Sequence, residues 1–320
     1  MLINNEILDS DSESINMRNA FIDTVMSACR TREDIFILTG DAGLGVFDRF
    51  KDEYPDRFRN MGVAEQNTIS FAAGLAMTGY KVFIYNIIPF VLYRCYEQVR
   101  NDICYQELPV TLVGIGSGIT YAPQGMTHYS IEDIGLVQTL PNLVAISPVD
   151  PVEARVAAHY ALASNKPVYV RLAKRGEPAY HSDETFDIAV PQVIKAGGGA
   201  AIVFHGSISQ EVMAAYEVLK DRGSAPLVIS VPTVQPLDTV SLLGMLSNVA
   251  HVVCVEEHFT NCGLGNMIVR LKAEQSAIWR LTLLGIAPHF IHKIRNCEGL
   301  RADYGISAAS IVDAVESVPA

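Results

Sequence analysis

No basic run occurs in this 320-residue sequence: 24 Lys and Arg stand against 35 Asp and Glu, for a formal net charge of −11. Nucleic acid is bound through clustered cations, so it is excluded as the expected partner. No uninterrupted apolar run is long enough to span a bilayer, and a membrane location is not expected. The first six residues are acidic and polar, unlike a signal peptide. The six cysteines (Cys29, Cys95, Cys104, Cys254, Cys262, Cys297) form no Cys-x-x-Cys pair. They read as reduced thiols of a cytoplasmic protein, serving as small core hydrophobes. Five of the eight histidines fall after residue 200, without metal-site spacing, so no metal site is expected in this chain. Low-complexity segments and short repeats are missing too.

What is present is a globular composition, 49% hydrophobic and 18% charged, in a chain long enough for two domains. Apolar β-rich runs at 35–38, 81–85, 110–115, 143–146 and 168–172 alternate with helical patterns near 16–30, 65–78, 90–106, 131–140 and 150–164. Asp150-Pro151 opens the last helix, with Asp as N-cap and Pro at the first helical position. The stretch 176–199 breaks the rhythm with prolines and the run Gly197-Gly-Gly199. Alternation then restarts, with strands at 200–205, 226–231, 251–256 and 280–285 and helices at 208–221, 238–247, 265–275 and 306–317. The expected class is α/β, with two open, mostly parallel sheets covered by helices on both faces. The first domain is placed at 1–180, a linker at 181–198 and a smaller domain at 199–320.

Four places carry chemistry. Glu65, in Met61-Gly-Val-Ala-Glu-Gln-Asn67, opens a helix among small residues. The plain structural reading is complementation of the helix dipole. The small neighbours point instead to a close contact, where a buried carboxyl stays protonated and can donate a hydrogen bond. Phe90, Tyr93 and Tyr96 recur every three residues on one helix, either as a core stripe or as a wall for a flat heterocycle. His128 ends the Gly-rich loop that starts at Gly114, at the sheet edge where binding groups concentrate, and Ser130 is placed to cap the next helix. Arg171, Lys174 and Arg175 close the last strand of the first domain. Two readings stay open there, a solvated strand exit and an anchor for a substrate phosphate.

Together and in order, these motifs resemble the C-terminal part of the transketolases and the related 1-deoxyxylulose-5-phosphate synthases, from about residue 15 to 317. Met61-Gly-Val-Ala-Glu-Gln66 is similar to the family's Gly-x-x-Glu-Gln, Phe90-x-x-Tyr93-x-x-Tyr96 to its Phe-x-x-Phe-x-x-Tyr, and Gly125-Met-Thr-His128 to its Gly-Pro-Thr-His. Gln235-Pro-Leu-Asp238 and Glu256-Glu-His-x-x-x-x-Gly-Leu-Gly265 resemble the family's last domain. The resemblance implies thiamine diphosphate as cofactor. Glu65 would be the catalytic carboxyl at the aminopyrimidine, with Phe90, Tyr93 and Tyr96 packed around that ring. His128 would face the substrate, and Lys174 or Arg175 would hold its phosphate. Gln124 stands where the family has Asp, and Gly116 where it has a second His, so the resemblance leaves the usual donor contacts incomplete. The family's Gly-Asp-Gly…Asn motif, which binds diphosphate and Mg2+ or Ca2+, has no room before residue 15. Gly40-Asp41-Ala42 with Asn67 only mimics it.

The expectation is therefore the C-terminal subunit of a split transketolase, acting on small sugars in an α2β2 assembly with an N-terminal subunit. Two other readings are the β subunit of a 2-oxo acid dehydrogenase E1 component and a non-catalytic regulatory module. The former commonly shows His-His where this chain has His128-Tyr129.

Overall fold

The computed structural model describes residues 16–43, 45–174 and 176–317. Its strands are β1 (Ile35–Thr39), β2 (Phe58–Asn60), β3 (Lys81–Ile87), β4 (Val110–Ile115), β5 (Val144–Ile146), β6 (Val168–Leu172), β7 (Gln192–Lys195), β8 (Gly199–Phe204), β9 (Leu227–Ser230), β10 (Thr233–Gln235), β11 (Val249–Phe259) and β12 (Arg280–Ile286). They form a seven-stranded sheet ordered β10-β5-β6-β4-β3-β1-β2 and a five-stranded sheet ordered β12-β11-β8-β9-β7. All neighbours pair parallel except β10 on β5 and β7 on β9. The expected α/β class of two mostly parallel sheets holds.

The central strands of the first sheet are buried along almost their whole length, because helices cover both faces. One face packs Phe21, Ile37, Phe83 and Val113 beneath the helices Met17–Ala28 and Pro151–Ala163. Asp150 caps the latter as the sequence implies, accepting from Glu153 N at 2.7 Å, with Pro151 next. The opposite face shares a core with the second sheet, in which Ile69, Val91 and Leu112 join a cluster with Val203, Leu242 and Leu264. Five cysteines are buried and Cys262 is half-buried, all as free thiols. No helix among the described residues is long and apolar enough to cross a membrane.

Three local expectations change. Strand β7 lies inside the segment expected as a linker and pairs with β9. The second half of the chain also returns to the first sheet: β10 adds an antiparallel edge strand on β5, followed by the cis peptide Gln235-Pro236. Gln235 Nε2 donates to the carbonyls of Val137, Leu140 and Leu143 at 2.8, 2.8 and 3.1 Å, and this explains the Gln-Pro-Leu-Asp motif structurally. Finally, residues 89–104 wind mostly as π-helical turns (Pro89–Tyr93 and Val99–Cys104) instead of one regular α-helix. Such turns often occur at functional sites.

Candidate active site

The carboxyl ends of β1, β2, β3, β4 and β6 lie along one edge of the first sheet, where open α/β sheets place their ligands. At the end of β2, Asn60 Oδ1 accepts from Gly62 N at 2.9 Å and from Asp41 N at 3.2 Å. Gly62 adopts φ +67°, which turns the chain into the helix Glu65–Met77. Glu65 is the first residue of that helix and is only 7% exposed. Its Oε1 accepts from Arg94 Nη1 at 2.8 Å.

From Glu65 a continuous series of contacts runs along the edge. The Arg94 guanidinium sits 4.5 Å from the centroid of the Phe90 ring. Phe90 meets His128 edge to face at 5.6 Å, and His128 lies 5.9 Å from the ring of Tyr121. Lys174 Nζ stands 4.4 Å over the Tyr121 ring. Burial first, and the charge of Lys174 second, pull the His128 imidazole below its ordinary value. It is therefore neutral at pH 7, with Nδ1 2.9 Å from Thr127 Oγ1.

The structure thus brings Glu65, Phe90, His128 and Lys174 together. Tyr93 and Tyr96 stand apart from this series. Both pack against the core under the first sheet, with the Tyr93 hydroxyl donating to Glu132 Oε2 at 3.2 Å and the Tyr96 hydroxyl bonded to Thr139. Gln124 is exposed at the end of the turn Ala122–Gln124. Arg175 lies outside the described residues.

Two expectations are corrected. Arg171 is not part of an exposed basic cluster. It is 1% exposed, and its Nε donates to Asp133 Oδ2 at 2.7 Å. Its Nη2 reaches Ser130 O and Glu257 O at 2.8 and 3.1 Å, fastening the first sheet to the second. Ser130 caps no helix, because its hydroxyl donates to Gly116 O at 2.9 Å and holds the Gly-rich loop closed. The Glu-Glu-His motif is likewise structural. Glu256 accepts from Leu264 N and Gly265 N at a helix start, Glu257 pairs with Arg301, and His258 Nε2 accepts from Ile134 N.

Arg94 and Tyr121 belong to the series but carry no motif in the sequence. The signals for them are weak: Arg94 follows Phe90 by four residues, and Tyr121 is an aromatic inside a Gly-rich loop.

Two α/β sheets in series, the first carrying this carboxylate, ring and imidazole edge, define a protein of the transketolase fold class. The profile of the "Transketolase, pyrimidine binding domain" matches residues 13–177, and that of the "Transketolase, C-terminal domain" matches 191–311. The chain belongs to the transketolase family. It is 34% identical to one of the subunits of an apulose-4-phosphate transketolase from Actinobacillus succinogenes, over 94% of this chain and 98% of that one. It is 30% identical to the SqwH subunit of a 6-deoxy-6-sulfo-D-fructose transketolase from a Clostridium species, over 94% of each. A solved structure described as a split gene transketolase, inactive beta4 tetramer, is 29% identical and superposes with a TM-score of 0.85, over 94% of this chain and 97% of that one.

The family's cofactor fits these residues in part. Glu65 is buried, and its carboxylate is held by Arg94, whose side chain is 46% exposed. Among the described residues, no three His, Cys, Asp or Glu side chains are grouped to hold a metal ion. The carboxyl, ring and imidazole gathered at this edge suit the flat end of the cofactor.

Proposed function

We propose that this chain is the C-terminal subunit of a split, thiamine-diphosphate-dependent transketolase that transfers a two-carbon ketol unit between sugar phosphates or related sugars. The observation that carries the reading is the unbroken series from Glu65 through Phe90 and His128 to Lys174. Bound thiamine diphosphate supplies the carbanion chemistry, and the protein supplies position and electrostatics. Glu65, once parted from Arg94, would share a hydrogen bond with the pyrimidine ring. Phe90 would wall that ring, whereas Tyr93 and Tyr96 stand back against the core. His128, held neutral, exchanges hydrogen bonds with donor hydroxyls or with the developing alkoxide. Lys174 or Arg175 would hold the phosphate, and Gln124 would meet sugar hydroxyls from the loop.

The partner in this reading is an N-terminal subunit that carries the diphosphate and Mg2+ or Ca2+ site, in an α2β2 assembly. The pyrimidine-binding domain is placed at 1–180 and the C-terminal-type domain at 199–320, with the segment 181–198 between them contributing β7 to the second sheet. The substrates printed in the names of the two relatives carry a phosphate and a sulfonate, which supports an anionic sugar here.

Reconstitution with the N-terminal subunit tests the reading. Glu65→Gln is expected to lower ketol transfer at least about 100-fold, with unchanged circular dichroism and assembly. Full turnover by that variant refutes the role of Glu65.

A further inference from the structure

Gly116 adopts φ +93°, and a Cβ built there would lie 2.1 Å from Tyr121 Cδ2 and 2.2 Å from Cε2. The Tyr121 ring therefore occupies the volume that a side chain at 116 would take. Burial holds its phenol above the ordinary value, against the pull of Arg18, so the ring is neutral. One side of it meets His128, and its face carries the Lys174 ammonium.

This position matters because Lys174 is an exposed side chain on a long stem. Such a cation samples many rotamers, and fixing it at the moment of binding costs entropy. An aromatic face attracts a cation. A lysine already gathered over a ring, next to the imidazole, is prepared for an anion arriving at the same edge.

We propose that Tyr121 is the specificity-determining side chain of this site. It selects sugars with an anionic end by holding Lys174 over its ring beside His128. The proposal rests on the transketolase reading and adds the residue that sets its substrate class. Tyr121 acts through Lys174, so it is a positioning residue, and its signature is a KM effect greater for phosphorylated substrates.

The test compares Tyr121→Phe, Tyr121→Leu and Lys174→Met in the assembled complex, with ribose 5-phosphate and ribose as acceptors. Leucine keeps apolar bulk over Gly116 and removes the ring face. Tyr121→Leu is expected to raise KM for ribose 5-phosphate roughly two- to tenfold more than it raises KM for ribose. Tyr121→Phe should match the parent. In the Lys174→Met background, Tyr121→Leu should add no further loss. Equal effects on both acceptors, a phenylalanine variant as poor as leucine, or additive losses with Lys174→Met overturn the proposal. Calorimetric titration of the chain with each sugar needs no turnover. If the parent complex transfers no ketol unit, the functional reading falls, and this titration decides the role of Tyr121. A phosphate preference lost in Tyr121→Leu supports it, and no preference in the parent overturns it.

Discussion

Arg171 and Asp133 show how much one residue can decide. Both are fully buried, and the Asp133 carboxylate also accepts from the Tyr169 hydroxyl at 2.7 Å. Removing one member of such a pair strands the other charge in a medium that cannot solvate it. Arg171→Met is therefore expected to destabilise the chain by about 3–5 kcal/mol, measured by urea denaturation, and loss of less than 1 kcal/mol would contradict the account (about the limit for an exposed pair). In sequence, Arg171 looks like Lys174, since both sit at the end of an apolar strand. Only the sheet order tells them apart: Arg171 points to the junction with the second sheet, whereas Lys174 emerges past it. Glu65 and His128 are legible in the sequence because their flanking glycines and small residues form motifs. Tyr121 and Arg94 are not, because their positions depend on rings that approach through space.

At the level of elements, the loop after β4 is shaped by glycine in two places where no other residue fits. At Gly116 the obstacle is Tyr121. At Gly118, with φ +61°, an added Cβ would lie 2.3 Å from Glu257 Oε2. That carboxylate already accepts from Ser207 Oγ at 2.6 Å and pairs with Arg301 at 2.5 Å, so it cannot yield freely. Gly118→Ala is expected to cost more than the ~1 kcal/mol of backbone strain alone and to lower the urea midpoint. A midpoint equal to the parent's would show that the loop has room. The buried parallel strands and the helix capped by Asp150 are readable from periodicity and capping chemistry. The π-helical turns of 89–104, the short β2 and the antiparallel β10 are not. Three-residue strands carry too little pattern, and π turns depend on packing against the core more than on composition.

Across the whole molecule, buried acids link the two sheets to pH. Burial pushes Glu177 up to about 8 and Glu153 up to about 7. Glu177 is 3% exposed, and its Oε2 has no hydrogen-bond partner among the described residues. In the folded state these carboxyls keep protons that the unfolded chain has lost. Their contribution to stability is complete below the unfolded value, near 4.5, and is lost as pH rises through about 7 to 8. Glu177→Gln, which cannot ionise, is expected to melt a few degrees above the parent at about pH 9 and level with it at about pH 5. Thermal unfolding followed by circular dichroism checks this, and identical melting at the higher pH would contradict it. The return of β10 to β5 has a different consequence. Severing the polypeptide midway would not release two finished modules. One fragment would keep a raw rim of unpaired amides, prone to adhere to any passing ribbon, and the other would trail the strip that belongs there.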